Sequence, residues 1–351
     1  MTADSSSTAA QIMEIITPHR RYSDGGACAV EPCPRCAAIH SQPMLRQIAR
    51  GEPVLFVLPA FPGKSPNSEK VLGPLPDLAE ALSLEFLNAL CERVAEVYPP
   101  GARVIICSDG RVFNDVVGIS DEDITAYQRE LRALAQRIGP RTLELRHLDD
   151  VYPEAAHQEM REILTARYGE DLATVKARVH EGGDALAQYR GTTRFLLEDS
   201  DRLDPSTSRS ARQRDSRERA YVVIQRSGAW SKLIALRFPD AVRLSIHPHA
   251  CGADKIGIAL MDAADAWQTA WHGVAVDLGE GFLLMKRREA ESLGSTLVYD
   301  GPRPSHYRLT DPRSLPESVR AGLRPRARED GDRATAMRPA AEENPHEPVV
   351  A

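Results

Sequence analysis

No stretch of the sequence approaches the ~20 consecutive apolar residues that cross a bilayer. Its first ten residues also lack the basic start and apolar core of a signal peptide. A cytoplasmic protein is therefore expected. Positive charge is in short supply as well: 44 Lys and Arg against 50 Asp and Glu leave a net charge of −6. A protein that grips a phosphate backbone shows the opposite balance, so local cations must serve a small anion. Neither a glycine-rich dinucleotide fingerprint nor an internal repeat occurs. Six cysteines in 351 residues do not suggest a disulfide framework, and a cytosolic setting disfavours one.

What is present is enough chain to bury a sizeable core, with an apolar fraction of 42% that fits a globular protein. The run Val54-Leu55-Phe56-Val57-Leu58 reads as a strand covered on both faces. Asp77-Leu78-Ala79-Glu80 resembles a capping box, and Leu82, Phe86, Leu90, Val94 and Val97 follow at helical spacing. Tyr98-Pro99-Pro100-Gly101 stops that helix, and strand 103–107 follows. Ser120 and Asp123 cap another helix, ended by Gly139-Pro140, before a third strand over 142–148. This order predicts parallel strands with right-handed crossovers. The expected fold is α/β: a Rossmann-like, mostly parallel sheet flanked by helices, with additional strands near 242–246, 256–260, 272–276 and 282–285.

Residues 21–310 read as a single α/β catalytic domain. Residues 1–20 are expected to be flexible. The segment 199–219, rich in Ser, Asp and Arg, fits either a mobile loop over a site or a plain surface linker. The tail 325–351 reads as disordered.

Two loops follow strand ends, which is where open parallel sheets bind ligands. In the first, Pro62, Gly63 and Pro66 stiffen and open the backbone around Lys64. That lysine fits either a solvated turn residue or a point charge for phosphate. In the second, Asp109 and Arg111 flank Gly110. They fit either an ion pair that fixes the turn or a base beside an anion clamp. Further on, alternation puts Arg243, Ser245 and His247 on one face of a strand, with His249 beyond Pro248. Histidine is the natural acid or base at neutral pH. Arg226 and Trp230 share a helix face, and His272 heads a strand. Finally, Cys28, Cys33, Cys36 and His40 match the ligand types of a structural zinc, within a tight thirteen residues. Buried, unliganded thiols are the alternative.

The segments Ala60-Phe61-Pro62-Gly63-Lys64-Ser65-Pro66-Asn67, Lys70-Val71-Leu72-Gly73-Pro74-Leu75-Pro76-Asp77 and Ser108-Asp109-Gly110-Arg111-Val112-Phe113-Asn114-Asp115 resemble the isonitrile synthases of the pyoverdine/dityrosine biosynthesis protein family. Arg243-Leu244-Ser245-Ile246-His247-Pro248 and Trp271-His272-Gly273 extend the likeness in the same order. The resemblance implies a lyase-type enzyme. It condenses the amine of an aromatic L-amino acid, tyrosine or tryptophan, with ribulose 5-phosphate and keeps the ketone carbon as the isonitrile carbon. No redox cofactor is implied, and a downstream oxygenase is.

On this reading Lys64, Ser65, Arg111, Asp115, Arg226 and Arg243 bind the substrates, with Lys64 and Arg111 aimed at the phosphate. Asp109, His247, His249 and His272 shuttle protons. Two rival readings remain: a metal-dependent hydrolase or lyase built on His247, His249 and Asp254, and a non-catalytic regulator that binds a sugar phosphate.

Overall fold

The computed structural model describes residues 3–23, 28, 33–203, 207–265 and 268–322. Strands β1 (Val54–Pro59), β2 (Ala102–Cys107), β3 (Leu143–Arg146), β4 (Val242–Ser245) and β5 (Ile256–Gly257) form one sheet in the order β3-β2-β1-β4-β5. Every pairing in it is parallel. The chain moves outward from β1 through β2 to β3 and then returns to pair β4 on the other side of β1. The topological switch therefore lies between β1 and β4, and in open sheets of this kind the crevice that binds ligands lies at the carboxyl ends there.

Period-two alternation explains why β1 is apolar throughout. Val54, Phe56 and Leu58 enter one core with Ile12, Met44, Leu84 and Tyr127. Val57 enters the opposite core with Ile105, Trp230, Leu233 and Leu164. Helices α1 (Ala3–Ile16), α2 (Pro34–Ala49), α3 (Leu78–Val97) and α5 (Asp121–Ile138) cover the first face. The second is covered by α4 (Gly110–Val117), α6 (His157–Tyr168), α8 (Gly183–Leu203) and α9 (Arg209–Arg237). Between α6 and α8 lies α7 (Leu172–Glu181), whose Val175 and Val179 pack on Tyr221 and Ile224 of α9. Among the described residues no helix is long and apolar enough to cross a membrane.

A second sheet has the order β7-β6-β9-β8, from β6 (Val274–Asp277), β7 (Phe282–Met285), β8 (Thr296–Asp300) and β9 (Arg303–Arg308). The short helix α10 (Arg287–Ser292) links β7 to β8. Residues 316–351 fall in a separate unit, whose described part is the short helix α11 (Glu317–Gly322).

Several expectations need correction. Residues 3–16, read as flexible, form α1 and bury Ile12, Met13 and Ile16 in the core. The 199–219 segment is not a loop in its described parts. Asp199 lies in α8, and from Arg209 the chain is already α9, capped by Ser208 Oγ, which accepts from Ala211 N at 3.3 Å. Arg219 pairs with Asp215 one turn back at 2.7 Å, and its guanidinium donates to Val116 O. Gly228 does not interrupt α9. The strand expected over 256–260 is only two residues long, and the β8–β9 hairpin escaped the sequence reading. The tail 325–351 lies outside the described residues.

The first two strand-end loops touch closely. A Cβ on Gly110 would lie 2.2 Å from Pro62 O, far inside contact. Ala normally gains about 1 kcal/mol over Gly inside a helix. At this position Gly110→Ala is expected to lower the melting temperature instead. A raised melting temperature would mean that the two loops do not meet.

Candidate active site

The β1 loop is held in a strained form by its neighbours. Phe61 has φ +61°, rare for a non-glycine residue and typical of functional loops whose surroundings enforce it. Its carbonyl accepts from Ser108 Oγ at 2.8 Å, and its ring meets Trp271 at 5.2 Å. Ser65 N donates to Trp271 O at 2.9 Å, which ties this loop to the turn Ala270–His272. The β1 loop, the β2 loop and the 270–272 turn thus form one rim of the crevice.

Lys64 sits within that rim with a completely buried side chain. Its ammonium meets Asp77 Oδ2 and Glu80 Oε2, each at 2.8 Å, and donates to Ala270 O at 3.0 Å. These partners use all three of its protons. Burial opposes the charge, but Asp77 and Glu80 outweigh it and hold the ammonium protonated. Burial, reinforced by Asp77, pushes the Glu80 carboxyl up to about 8 against the pull of Lys64. Asp77 and Glu80 are also the capping box of α3: Asp77 Oδ1 accepts from Ala79 N, and Glu80 Oε2 accepts from Asp77 N.

Arg111 is equally committed, but to different acids. Its guanidinium reaches Asp121 Oδ1 at 2.7 Å, Thr125 Oγ1 at 2.6 Å and Asp149 Oδ1 at 3.3 Å. Arg161 reaches the same Asp121 oxygen at 3.1 Å, and Arg226 grips Asp115 at 2.7 and 3.0 Å. Burial favours a protonated Asp121, but hydrogen bonds from Arg161, Asn114 and Arg111 outweigh it and hold the carboxyl well below the usual range. Arg111, Asp115 and Arg226 therefore belong to an ion network around α4. Lys64 and Arg111, expected to share one anion, are instead each engaged by acidic side chains of their own.

Asp109 differs from all of these. It precedes α4 with φ −102° and ψ 10°, the sparsely populated bridge region where many active-site residues lie, and its side chain makes no capping hydrogen bond. Its Oδ1 is buried with no hydrogen-bond partner among the described residues. Burial without a cation pushes its carboxyl up to about 7. An acid poised there, at the end of a central strand, is suited to both taking and returning a proton.

Helix α8 lines the same rim. Ser65 Oγ donates to Asp199 Oδ1 at 2.9 Å, and Lys70 reaches Asp199 at 2.6 Å and Glu198 at 3.1 Å. Lys286 holds the same Glu198 oxygen at 3.1 Å. His272 stands beside Phe195 of α8, with ring centroids 5.3 Å apart. Burial, with Lys70 adding and Glu198 opposing, pushes its imidazole down to about 3, so it is neutral at physiological pH. Lys70, Asn67, Glu198 and Asp199 were not singled out in the sequence. The signal for the first two was their place inside the matched motifs; the acids carried none.

The opposite rim follows β4. Burial, then Arg21, His249 and Lys255, push His247 down to about 4, although its side chain keeps an exposed surface. His249 is also pushed down by burial, and its Nε2 has no hydrogen-bond partner among the described residues. Arg243 is spent on Asp254 at 2.7 Å and Ser231 at 2.7 Å. Asp254 thus faces Arg243, and His247, His249 and Asp254 do not converge as metal ligands among the described residues.

Two cations near this rim have no carboxylate in direct contact among the described residues, although Asp265 and Asp254 act on them from a distance. Arg21 donates to Ile246 O at 2.5 Å, and Lys255 donates to Ser231 Oγ at 3.1 Å. Among the described residues neither forms an ion pair. Burial lowers both, the cost that an anionic guest would relieve. Arg21 lay before the first expected strand and carried no sequence signal.

Residues 44–298 match the family model described as pyoverdine/dityrosine biosynthesis protein. An L-tyrosine isonitrile synthase of Pseudomonas aeruginosa is 45% identical over 304 residues, 85% of this chain and 93% of the relative. An L-tryptophan isonitrile synthase of Fischerella ambigua is 42% identical over 302 residues, 86% of this chain and 92% of the relative. The crystal structure of the PvcA protein from Pseudomonas aeruginosa matches with a TM-score of 0.80 at 43% identity, over 86% of this chain and 99% of that one.

Proposed function

We propose that this chain, which belongs to the pyoverdine/dityrosine biosynthesis protein family, is an isonitrile synthase. It acts on the α-amino group of tyrosine or tryptophan and takes its one carbon from C2 of ribulose 5-phosphate. What carries the reading is the alignment of relatives named for both amino acids over nine tenths of their length.

The first bond to form joins the amine nitrogen to the ketone carbon, and the ketone oxygen leaves as water to give an imine. That step needs an amine stripped of a proton and an acid that protonates the departing oxygen. Asp109, with a carboxyl near 7, suits both tasks in turn. His247 and His272, pushed down to about 4 and about 3, are weak bases near neutral pH and suit accepting a hydrogen bond from a substrate better than taking its proton. The substrate anions, a carboxylate and a phosphate, need cations that are not already paired. Arg21 and Lys255 take the place first given to Lys64 and Arg111.

Removing a charge-assisted hydrogen bond costs ~1.5–3 kcal/mol, or about 10- to 100-fold. Arg21→Ala and Lys255→Ala are each expected to raise KM for one anionic substrate by about that factor, with a smaller change in kcat. Steady-state kinetics with each substrate varied in turn checks this, and an unchanged KM for both substrates would remove the residue from the anion site. The function itself is tested by incubating the purified protein with ribulose 5-phosphate and either amino acid. An isonitrile infrared stretch is expected with at least one of them, and its absence with both would refute the reading.

A further inference from the structure

Four cysteine sulfurs converge on the side of the molecule behind the β4 rim. Cys251 Sγ lies 3.2 Å from Cys28 Sγ, 3.2 Å from Cys33 Sγ and 3.5 Å from Cys36 Sγ. Cys28 and Cys36 are 3.8 Å apart, and all four sulfurs fall within 4.8 Å of one another. A disulfide needs ~2.0 Å, and none of these cysteines is bonded to another. Thiolates held ~2.3 Å from a tetrahedral zinc lie roughly 3.8 Å apart along each edge, close to what is seen. His40, the fourth ligand expected from the sequence, is not in the group; Cys251 takes its place.

Three of the sulfurs receive backbone N–H donors. Cys33 N donates to Cys28 Sγ at 3.2 Å, Cys36 N to Cys33 Sγ at 3.5 Å and Gly252 N to Cys36 Sγ at 3.1 Å. The buried Arg20 adds a guanidinium contact to Cys36 Sγ at 3.7 Å. Backbone donors aimed at sulfur, with a cation behind them, offset the negative charge that four thiolates bring to a metal.

We propose that Cys28, Cys33, Cys36 and Cys251 bind one zinc ion as a closed structural site. With four protein ligands it has no open position for water or substrate, so its task is mechanical. The metal joins the amino-terminal arm to the turn after β4. On that arm Arg20 bridges Ile258 and Tyr22 bridges His249, with Arg21 N donating to Gly257 O at 2.9 Å. The clamp thereby fixes Arg21, His247 and His249 relative to one another. The metal assignment does not depend on which reaction the crevice performs, because its tests read metal rather than product.

The full-length protein, purified without chelators or a metal-binding tag, should carry about one zinc per chain by elemental analysis. An organomercurial that titrates the thiols should release it. Exchange for cobalt should give the near-ultraviolet thiolate-to-cobalt absorption of a tetrahedral site. Cys251→Ser should lose most of the bound zinc, whereas His40→Ala should keep it. Wild-type protein from zinc-supplemented cells that carries no zinc, or stoichiometric iron instead, would overturn the proposal. So would Cys251→Ser that retains its metal. If Cys251→Ser does not fold, the wild-type zinc content and the cobalt spectrum decide.

Discussion

Asp109→Asn is expected to lower kcat by ~10²- to 10⁴-fold, the usual worth of a positioned acid or base, without weakening the fold. Asparagine keeps the shape of the side chain but cannot carry or release the proton. The stability effect has a definite sign. The carboxyl is raised from its ordinary 3.8 to about 7, so the folded protein holds the proton more tightly than the unfolded chain. Its favourable contribution is complete below about pH 3.8 and is lost as the pH rises through about 7. Above that pH the wild type carries a buried, unpaired charge that the variant lacks. Asp109→Asn should therefore melt at the same temperature or higher at pH 8, with the advantage fading toward acid. Wild-type turnover in this variant would remove Asp109 from the chemistry.

The second large effect is expected at Lys64. Lys64→Met leaves Asp77 and Glu80 buried without their shared cation, and breaking a buried pair from one side costs ~3–5 kcal/mol. The variant should unfold at markedly lower denaturant concentration, with its activity falling as the folded fraction falls. Asp77→Asn in the same chain should restore part of the loss by removing the other carboxylate of the pair, whereas Glu80→Gln should restore little, since the Glu80 carboxyl already lies near 8 and is close to neutral. The phosphate role first given to Lys64 predicts something different: a normally stable variant with a raised KM for the sugar phosphate alone. Denaturant titration beside steady-state kinetics separates the two.

The two central strands and their loops were legible because burial on both faces writes a continuous apolar run. The capping box of α3 was legible because its chemistry is local. What the capping box does next was not. Asp77 and Glu80 take Lys64 across a turn of the chain, and the side-chain geometry that brings them together leaves no periodicity. The start of α9 was hidden for a related reason. Residues 209–219 offer little apolar surface, and they are helical because Ser208 starts a helix that the apolar 220–236 stretch continues. Cys251 stands far along the chain from Cys36, so nearby His40 filled the fourth position in the sequence reading. Spacing reveals a metal knuckle, but only folding delivers its distant ligand. Arg21 was unreadable in the same way: its significance arises from the pairing of the amino-terminal arm beside β5 and the turn after β4.

The most direct test is to supply tyrosine or tryptophan together with ribulose 5-phosphate carrying carbon-13 at C2, and to follow the products by mass spectrometry and carbon-13 NMR. The account predicts an isonitrile whose terminal carbon holds the label, formed together with released phosphate. An isonitrile without the label would exclude the sugar as donor, and labelled sugar recovered intact with both amino acids would contradict the account as a whole.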